Sequence, residues 1–262
     1  MYLGICGGTS EDNIKLYKET GYRYLEIGLG GFGGEGIKHF EGFLKNLDAY
    51  KFRCETANVV PFPGEYNPEG RLTGEQLGRA YDKLYALLKS TSRLNLERLI
   101  LGGGGVRTLP SPEVYDNVLD QAAEILRTVI SPICAEFGIT AVIEPLCSAE
   151  TPFIKTVADG VRLAKIADRA NIRVMSDLYH VHSEKENLDE YKNFVGWIRH
   201  AHIAKPVPRI MPTPVDGFDY KPFFNALASA DYSGRISVEA GQSDPDYKKS
   251  VRDAYEALSP FC

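Results

Sequence analysis

The stretch IRVMSDLYH, residues 172–180, ends an apolar, β-branched run on an aspartate and places a histidine three residues later. Such a short run is typical of a strand, so it predicts a strand that ends at Asp177. Three similar runs carry a metal-binding type of residue at or near their ends: ITAVIE (139–144), IRHAHIA (198–204) and RISVEA (235–240). The second half of the chain thus predicts four strands with polar carboxyl ends.

The first half of the chain contains four comparable runs, namely YLGI (2–5), YRYLEIG (22–28), FRCETANVV (52–60) and RLILG (98–102). Segments with helical spacing of apolar residues separate the runs, at 10–21, 72–94, 111–138, 151–168, 220–230 and 244–258. Alternation of this kind implies parallel strands joined by crossover helices. Eight such units fit a single (β/α)8 TIM barrel, an α/β fold, and no linker divides it, so one domain is predicted over 1–262.

Net charge and cysteine spacing restrict which binding partners and which cellular location are expected. A net charge of −5 argues against nucleic acid or an anionic membrane bound by bulk charge, and no run approaches membrane-spanning length. The five cysteines form no CxxC pair, which favours reduced thiols and a cytoplasmic location. We expect a small-molecule substrate, and the sequence leaves open whether the protein is a homo-oligomer.

The polar strand ends form one candidate site. In a TIM barrel the carboxyl ends of the strands and the loops after them build the active site. The residues concerned are Glu144, Asp177, His202 and Glu239. Three carboxylates with one imidazole suit one divalent ion such as Mn²⁺, Co²⁺ or Mg²⁺, with Zn²⁺ as a further candidate.

Four motifs carry a family resemblance. VIEPL (142–146), SDLYH (176–180), HAHIA (200–204) and ISVEAG (236–241), in this order and spacing, resemble the xylose isomerase-like sugar isomerase/epimerase superfamily. Its nearest functional members are ketose 3-epimerases and hydroxypyruvate isomerases. The resemblance is most specific between residues 139 and 241, and it implies that Glu144, Asp177, His202 and Glu239 are metal ligands. The two glutamates also match the acid/base pair of the epimerases.

The same resemblance implies three substrate-binding residues. His180 matches a substrate-binding histidine, and Glu150 matches an acidic residue that contacts the substrate region. Arg209 is the candidate for the family's substrate-binding arginine, although its spacing from His202 is one residue longer than usual. Lys205 also stands where an acidic or amide residue is commoner.

The remaining histidines have separate expectations. His200 lies two residues before His202, so on a strand both point to the same side, and His200 is expected behind the ligands, where it could orient one of them. His182 is expected to be a hydrogen-bonding loop residue. His39 lies in a polar, helix-like stretch and is expected at the surface.

The implied chemistry is proton transfer next to a carbonyl. A divalent ion that chelates a ketose carbonyl and its neighbouring hydroxyl would stabilise an enediolate, so that a glutamate can remove the α-proton. The leading expectation is a manganese-type isomerase of carbohydrate metabolism, a 3-epimerase of a small ketose; keto acids are also candidate substrates. A metal-dependent dehydratase of a cyclic polyol ketone or of a dehydroshikimate-type substrate uses the same ligands and stays open. A non-catalytic sugar-binding barrel also stays open, whereas a trinuclear zinc DNA-repair endonuclease needs histidines that this chain lacks.

Two glycine-rich segments and one cysteine suggest other sites. GLGGFGG (28–34) contains the G-x-G-x-x-G spacing of dinucleotide sites, but Glu55 lies inside the next strand and not at its end, so no nucleotide cofactor is expected. GGGG (102–105) is interpreted as a tight turn that leaves room for substrate, with phosphate binding by its amides as the alternative. Cys147 is interpreted as a small residue that fills the pocket.

Overall fold

The computed structural model of the chain describes residues 1–32, 39–58, 71–103, 109 and 111–262. Its strands are β1 (Tyr2–Cys6), β2 (Leu25–Gly28), β3 (Cys54–Asn58), β4 (Arg98–Leu101), β5 (Thr140–Ile143), β6 (Ile172–Asp177), β7 (Ile198–Ile203) and β8 (Arg235–Val238). Each strand pairs in parallel with its neighbours in chain order, and β8 pairs with β1 to close the barrel. The predicted (β/α)8 TIM barrel and its eight strands are confirmed; residues 59 and 60 of the third predicted strand lie outside the described residues.

Helices cover the outside of the barrel. They are α1 (Glu11–Thr20), α2 (Phe40–Ala49), α3 (Gly74–Thr91), α4 (Tyr115–Ile125), α5 (Ser131–Glu136), α6 (Val157–Ala167), α7 (Leu178–Glu184), α8 (Lys221–Ser229) and α9 (Tyr247–Leu258). Among the described residues, every helix is too short or too polar to cross a lipid bilayer.

Local sequence signals explain where α1 begins and ends. The Ser10 side chain accepts a hydrogen bond from the Asn13 backbone N–H, as expected of an N-cap serine. Gly21 follows the helix with φ of 115°, a conformation that side chains disfavour, and its Cβ would meet the Tyr255 ring. The first predicted helix is therefore confirmed at both ends.

The segment 111–138 differs from the single helix that its apolar spacing predicts. The structure divides it into α4, a π-helical stretch (Leu126–Ile130) and α5, which has Pro132 in its first turn. Proline has no N–H, so the regular hydrogen-bond pattern cannot continue through this position. The π-helical stretch thus lies directly before the turn that contains Pro132, which cannot donate.

Two irregularities of register decide which side chains enter the barrel. The pairing of β2 with β3 shifts between Leu25 and Glu26, which leaves Glu55 as an extra residue in β3. The pairing of β6 with β7 shifts between Val174 and Met175, where Arg199 is the extra residue. Extra residues of this kind redirect the side chains that follow them.

The barrel interior is apolar on one side and polar on the other. Ile100, Val142 and Met175 form a small buried cluster that is separate from the main core between strands and helices. The buried polar residues of β2, β7 and β8 are Glu26, His200, His202 and Ser237. The polar interior therefore lies on the side of β7, β8 and β2, next to the candidate ligand His202, and the apolar cluster lies on the side of β4, β5 and β6.

At the amino ends of the strands, charged side chains form a network of their own. Arg235 contacts Glu55 through Nε, and its Nη2 lies 3.0 Å from Glu97 Oε2. Arg53 Nε lies 2.9 Å from Glu55 Oε1, and Arg98 Nη1 lies 3.3 Å from Glu97 Oε2. Both carboxylates at this end of the barrel thus have guanidinium partners.

Candidate metal centre and active site

The four predicted ligands meet at the carboxyl end of the barrel. Glu144 directly follows β5, Asp177 ends β6, His202 lies near the end of β7 and Glu239 directly follows β8. One ligand atom from each lies within 4.8 Å of the others. The Nδ1 atom of His202 is 3.2 Å from Glu239 Oε2, 3.4 Å from Glu144 Oε1 and 4.0 Å from Asp177 Oδ2.

Gly102, at the end of β4, leaves the space that the Glu144 carboxylate occupies. A Cβ at Gly102 would lie 2.1 Å from Glu144 Oε2, so any other residue here would displace that carboxylate. The segment GGGG (102–105) was expected to form a tight turn that leaves room for substrate. At Gly102 the room is taken by a candidate ligand, while residues 104 and 105 lie outside the described residues.

Asp177 is oriented by the helix that follows it. Its Oδ1 atom accepts a 2.8 Å hydrogen bond from the Tyr179 backbone N–H, so the side chain caps the first turn of α7. The other oxygen, Oδ2, faces the site and contacts Arg209. The cap leaves one oxygen available to a cation, which is the geometry a monodentate ligand needs.

Glu26 lies directly behind His202, a placement that none of the sequence motifs predicted. Its carboxylate is fully buried and lies 2.9 Å from His202 Nε2 and 2.8 Å from His200 Nε2. A signal was present, because an acidic residue inside the apolar run YLEIG has to find a partner when the strand is buried. His200 lies behind the ligands: its Nε2 contacts Glu26, and its ring packs edge-on against the His202 ring with centroids 5.1 Å apart.

The three predicted substrate-binding residues lie beside the four ligands. The Nδ1 atom of His180 accepts a 3.0 Å hydrogen bond from the Cys147 backbone N–H, and its Nε2 atom is 3.6 Å from Asp177 Oδ2. Glu150 is about one-third exposed and lies 3.9 Å from Arg209. Cys147, Glu150 and His180 also place potential ligand atoms within 4.8 Å of one another.

Arg209 contacts the carboxylates directly. Its Nη2 atom is 2.8 Å from Asp177 Oδ2 and also contacts Glu239, while its guanidinium lies over the Tyr179 ring at 4.5 Å from the centroid. The resemblance implied a contact with substrate. In this structure the guanidinium supplies positive charge to carboxylates that are mostly buried.

The other histidines and motifs lie away from the four ligands. His182 is part of α7 and not of a loop, because the helix continues through it, and its ring packs against Phe218 at 5.7 Å. His39 is exposed at the start of α2, as expected. Residues 33 and 34 of the glycine motif lie outside the described residues, and Glu55 lies at the opposite end of the barrel.

The electrostatics of the site reflect a surplus of carboxylates. Burial raises the pKa of Glu144 and of Asp177. Burial alone would also raise the pKa of Glu239, but the charges of His202 and Arg209 lower it to about 2. For His202 burial acts to lower the pKa, yet Glu26 and Glu239 raise it well above the usual range. The carboxylates around His202 therefore stabilise positive charge on its ring.

The donor set fits a divalent cation. His202 Nδ1 is buried and makes no hydrogen bond to any described residue, while Nε2 already contacts Glu26. Since Nε2 donates to a carboxylate, Nδ1 presents a lone pair to three carboxylates and needs a proton or a cation between them. Three oxygen donors with one imidazole are the ligands of hard and borderline divalent ions.

Comparison with known proteins identifies the family. The sequence profile described as a xylose isomerase-like TIM barrel matches residues 14–259. The chain belongs to this family. The resemblance inferred from the four motifs is thereby confirmed, and it extends through the first half of the barrel.

The curated proteins that this chain resembles share about a quarter of its residues in the matched stretch. The chain is 26% identical over 150 residues to 3-dehydro-D-guloside 4-epimerase of Escherichia coli strain K12, which covers 56% of this chain and 55% of the relative. It is 24% identical over 163 residues to D-psicose 3-epimerase of Agrobacterium fabrum, with 58% and 53% coverage. The chain spans about half the length of the curated relatives it matches.

Solved structures of sugar epimerases superpose on the whole barrel. A D-psicose 3-epimerase from Clostridium cellulolyticum, solved with D-tagatose, superposes with a TM-score of 0.81 at 17% identity, covering 100% of this chain and 98% of that one. The 3-keto-D-glucoside 4-epimerase of Escherichia coli superposes with a TM-score of 0.82 at 20% identity, covering 99% of both chains. At this identity the likeness establishes the fold.

Proposed function

We propose that the protein is a divalent-metal-dependent sugar epimerase that inverts a carbon next to a ketone, most specifically at carbon 3 of a small ketose. The observation that carries the proposal is the convergence of Glu144, Asp177, His202 and Glu239 within 4.8 Å. In this assignment all four hold one ion, Mn²⁺, Co²⁺ or Mg²⁺, which supplies Lewis acidity to the carbonyl of the substrate.

The named activities of the relatives support proton transfer beside a carbonyl. A 3-epimerase of psicose and a 4-epimerase of a 3-dehydro-guloside both invert the carbon next to the ketone carbon of their sugar. The shared requirement is a base that removes the α-proton and an acid that returns it to the other face. Any sugar that is epimerised next to its ketone needs this acid and base, so the requirement does not depend on which sugar is the substrate.

Glu144 and Glu239 are the proposed proton-transfer pair. They follow β5 and β8, so they reach the site from either side of the two strands that carry Asp177 and His202. Their oxygens lie 3.4 and 3.2 Å from the same His202 Nδ1 atom. A planar substrate between them would present one face to each carboxylate, so that one removes the proton and the other returns it.

The residues around the pair are proposed to bind the sugar. His180 is buried beside Asp177, and its Nε2 atom carries the proton because Nδ1 accepts from the Cys147 N–H. It can therefore donate to a sugar oxygen above the carboxylates. Glu150 and Arg209 lie on the same side of the mouth, where they could contact further hydroxyls of the substrate.

The deciding experiment is a panel of ketoses and keto acids incubated in D₂O with protein loaded with Mn²⁺ or Co²⁺. We expect deuterium at the carbon next to the carbonyl together with accumulation of the epimer, and loss of both after chelation. Substrate binding without deuterium incorporation would identify a non-catalytic sugar-binding barrel. Loss of water without an epimer would identify a dehydratase and overturn the epimerase assignment.

A further inference from the structure

Among the described residues, Glu26 makes hydrogen-bonding contacts with four side chains inside the barrel, which points to a role other than packing. It is a fully buried carboxylate whose Oε1 lies 2.9 Å from His202 Nε2 and whose Oε2 lies 2.8 Å from His200 Nε2. Oε2 also accepts a 2.7 Å hydrogen bond from the Ser237 hydroxyl, and Oε1 is 3.4 Å from the Asn58 amide. An ionised carboxylate only accepts, so every neighbour has to direct a hydrogen atom toward it.

This requirement determines the direction of the surrounding hydrogen bonds. Ser237 uses its single hydroxyl proton on Glu26, so the 2.8 Å contact between Ser237 and Tyr24 has to run from the Tyr24 hydroxyl to Ser237. His200 and His202 both carry a proton on Nε2. A tyrosine, a serine and a histidine, all buried, thus hold the carboxylate in one orientation.

The consequence for His202 is a fixed ring. With its Nε2 proton directed to Glu26, the Nδ1 atom points at Glu144 and Glu239, from which it is 3.4 and 3.2 Å away. The other tautomer would place a lone pair against Glu26 and a proton where an ion has to bind. Ligating histidines commonly donate their second ring nitrogen to a carboxylate, which orients the ring and raises its basicity.

We propose that Glu26 is the positioning residue of the metal centre, which holds His202 so that Nδ1 binds the divalent ion, while His200, Ser237 and Tyr24 hold Glu26. The proposal rests on the proposed function in one respect, namely that His202 is a metal ligand. Glu26 itself contacts neither the ion nor the substrate.

The chain offers a matched control for this position. Glu55 is a second buried glutamate of the barrel, and it is held by Arg53 and Arg235 at the opposite end of the strands. Glu26→Gln and Glu55→Gln therefore make the same chemical change in the same barrel. Only the first change alters a contact to His202.

The experiment measures Co²⁺ and Mn²⁺ dissociation constants by titration of ion-free protein. We expect Glu26→Gln to bind each ion about 10- to 100-fold more weakly, as is typical for a residue behind a ligand. Glu55→Gln should bind like wild type even if its melting temperature falls. Unchanged affinity in Glu26→Gln would overturn the proposal.

A spectroscopic readout separates positioning from a loss of folding. In the Co²⁺ protein, the Nε2 proton of His202 should give a shifted, solvent-exchangeable proton resonance that moves or disappears in Glu26→Gln and stays in Glu55→Gln. If Glu26→Gln does not fold, Ser237→Ala removes one donor to Glu26. It should weaken ion binding by about 2- to 10-fold, less than loss of the Glu26 charge, because His200 and Asn58 still contact the carboxylate; wild-type affinity there would count against the proposal.

Three outcomes would identify which part of the proposal is wrong. If His202→Asn keeps wild-type ion affinity, the proposed metal centre itself is wrong. If His202→Asn loses the ion while Glu26→Gln retains it, only the role of Glu26 is wrong. A thiolate-to-Co²⁺ absorption band that disappears in Cys6→Ser would instead place the ion among Cys6, Glu26 and His202, whose ligand atoms also lie within 4.8 Å, and would overturn the proposal.

Discussion

The two ends of the barrel both concentrate charge, but they balance it differently. At the amino end, Glu55 and Glu97 share the guanidinium groups of Arg53, Arg98 and Arg235. At the carboxyl end the carboxylates of Glu144, Asp177 and Glu239 surround a single imidazole. Among the described residues, the arginine that reaches these carboxylates is Arg209.

The difference in charge balance indicates which end of the barrel is suited to bind a cation. An isolated buried charge is costly, so a protein that has no use for it supplies an opposite charge from its own side chains. The amino end is complete in this sense, with more guanidinium groups than carboxylates. The carboxyl end has an excess of negative charge, which a divalent cation would balance.

The largest expected effect is on turnover, which glutamine variants at the carboxyl end should lower and a glutamine variant at the amino end should not. Glu144→Gln or Glu239→Gln should lower epimerisation about 10²- to 10⁴-fold, because each removes a general acid–base while keeping one oxygen donor. Glu97→Gln makes the same change at the amino end and should leave turnover close to wild type. Activity is measured on ion-saturated protein, and near-normal epimerisation by either site variant would refute the two-base scheme.

The next effect concerns ion affinity. Asp177→Asn should weaken Mn²⁺ binding by more than the roughly 10- to 100-fold typical of residues behind a ligand, since it removes a charged donor from the ion itself. Titration of ion-free protein measures this loss, and about one equivalent should bind to wild type. Full affinity in the variant would remove Asp177 from the ligand set.

Two arginine variants, one at each end of the barrel, test the difference in charge balance through the free energy of unfolding. Arg209→Ala and Arg235→Ala each remove a guanidinium from partly buried carboxylates, so each should cost about 1 to 3 kcal/mol of the free energy of unfolding of the ion-free protein. Added Mn²⁺ should stabilise wild type and both variants, because it binds the folded state. It should narrow the deficit relative to wild type only in Arg209→Ala, where the ion replaces the lost charge. Denaturant unfolding with and without Mn²⁺ measures both; an equal narrowing of the two deficits would mean that the two ends do not differ.

Arg209→Ala also has a kinetic expectation. If the arginine binds substrate, the variant should show a raised KM with ion content intact. Unchanged kinetics would move that role to Lys205 or to no cation. Because the guanidinium lies beside Asp177 and Glu239, both readouts are measured on the same ion-loaded preparations.

The smallest expected effect is that of His180→Ala. We expect KM to rise or turnover to fall by about tenfold, the equivalent of one hydrogen bond to a substrate oxygen, while ion content stays at the wild-type level. Steady-state kinetics and metal analysis of the same sample measure the two quantities. A loss of the ion would show that His180 supports the metal centre and not the sugar.

Local patterns predicted the strands better than the helices. Each strand is a short β-branched run with turns on both sides, so its position follows from a few neighbouring residues. The helix α7 was not among the predicted segments, and α2 was anticipated only as the helix-like stretch around His39. α7 has seven residues, too few for a helical period to stand out, and its N-cap is Asp177, which the pattern had already assigned to the end of a strand.

The interior of the barrel illustrates why some side chains could not be placed in advance. Strand alternation indicates that His200 and His202 share a face, but not which face. The extra residue Arg199 in β7 and the extra residue Glu55 in β3 arise from pairing with the neighbouring strands. An irregularity in pairing depends on both strands, so neither strand shows it alone.

The sequence by itself determined the barrel and the four polar strand ends, because parallel strands in an α/β barrel present their carboxyl ends to one mouth. Only the tertiary structure decided that Glu26 would lie behind His202, 176 positions away. That contact crosses the interior from β2 to β7 and exists only once β8 has closed against β1. Closure and register are properties of the whole sheet, and a local pattern contains neither.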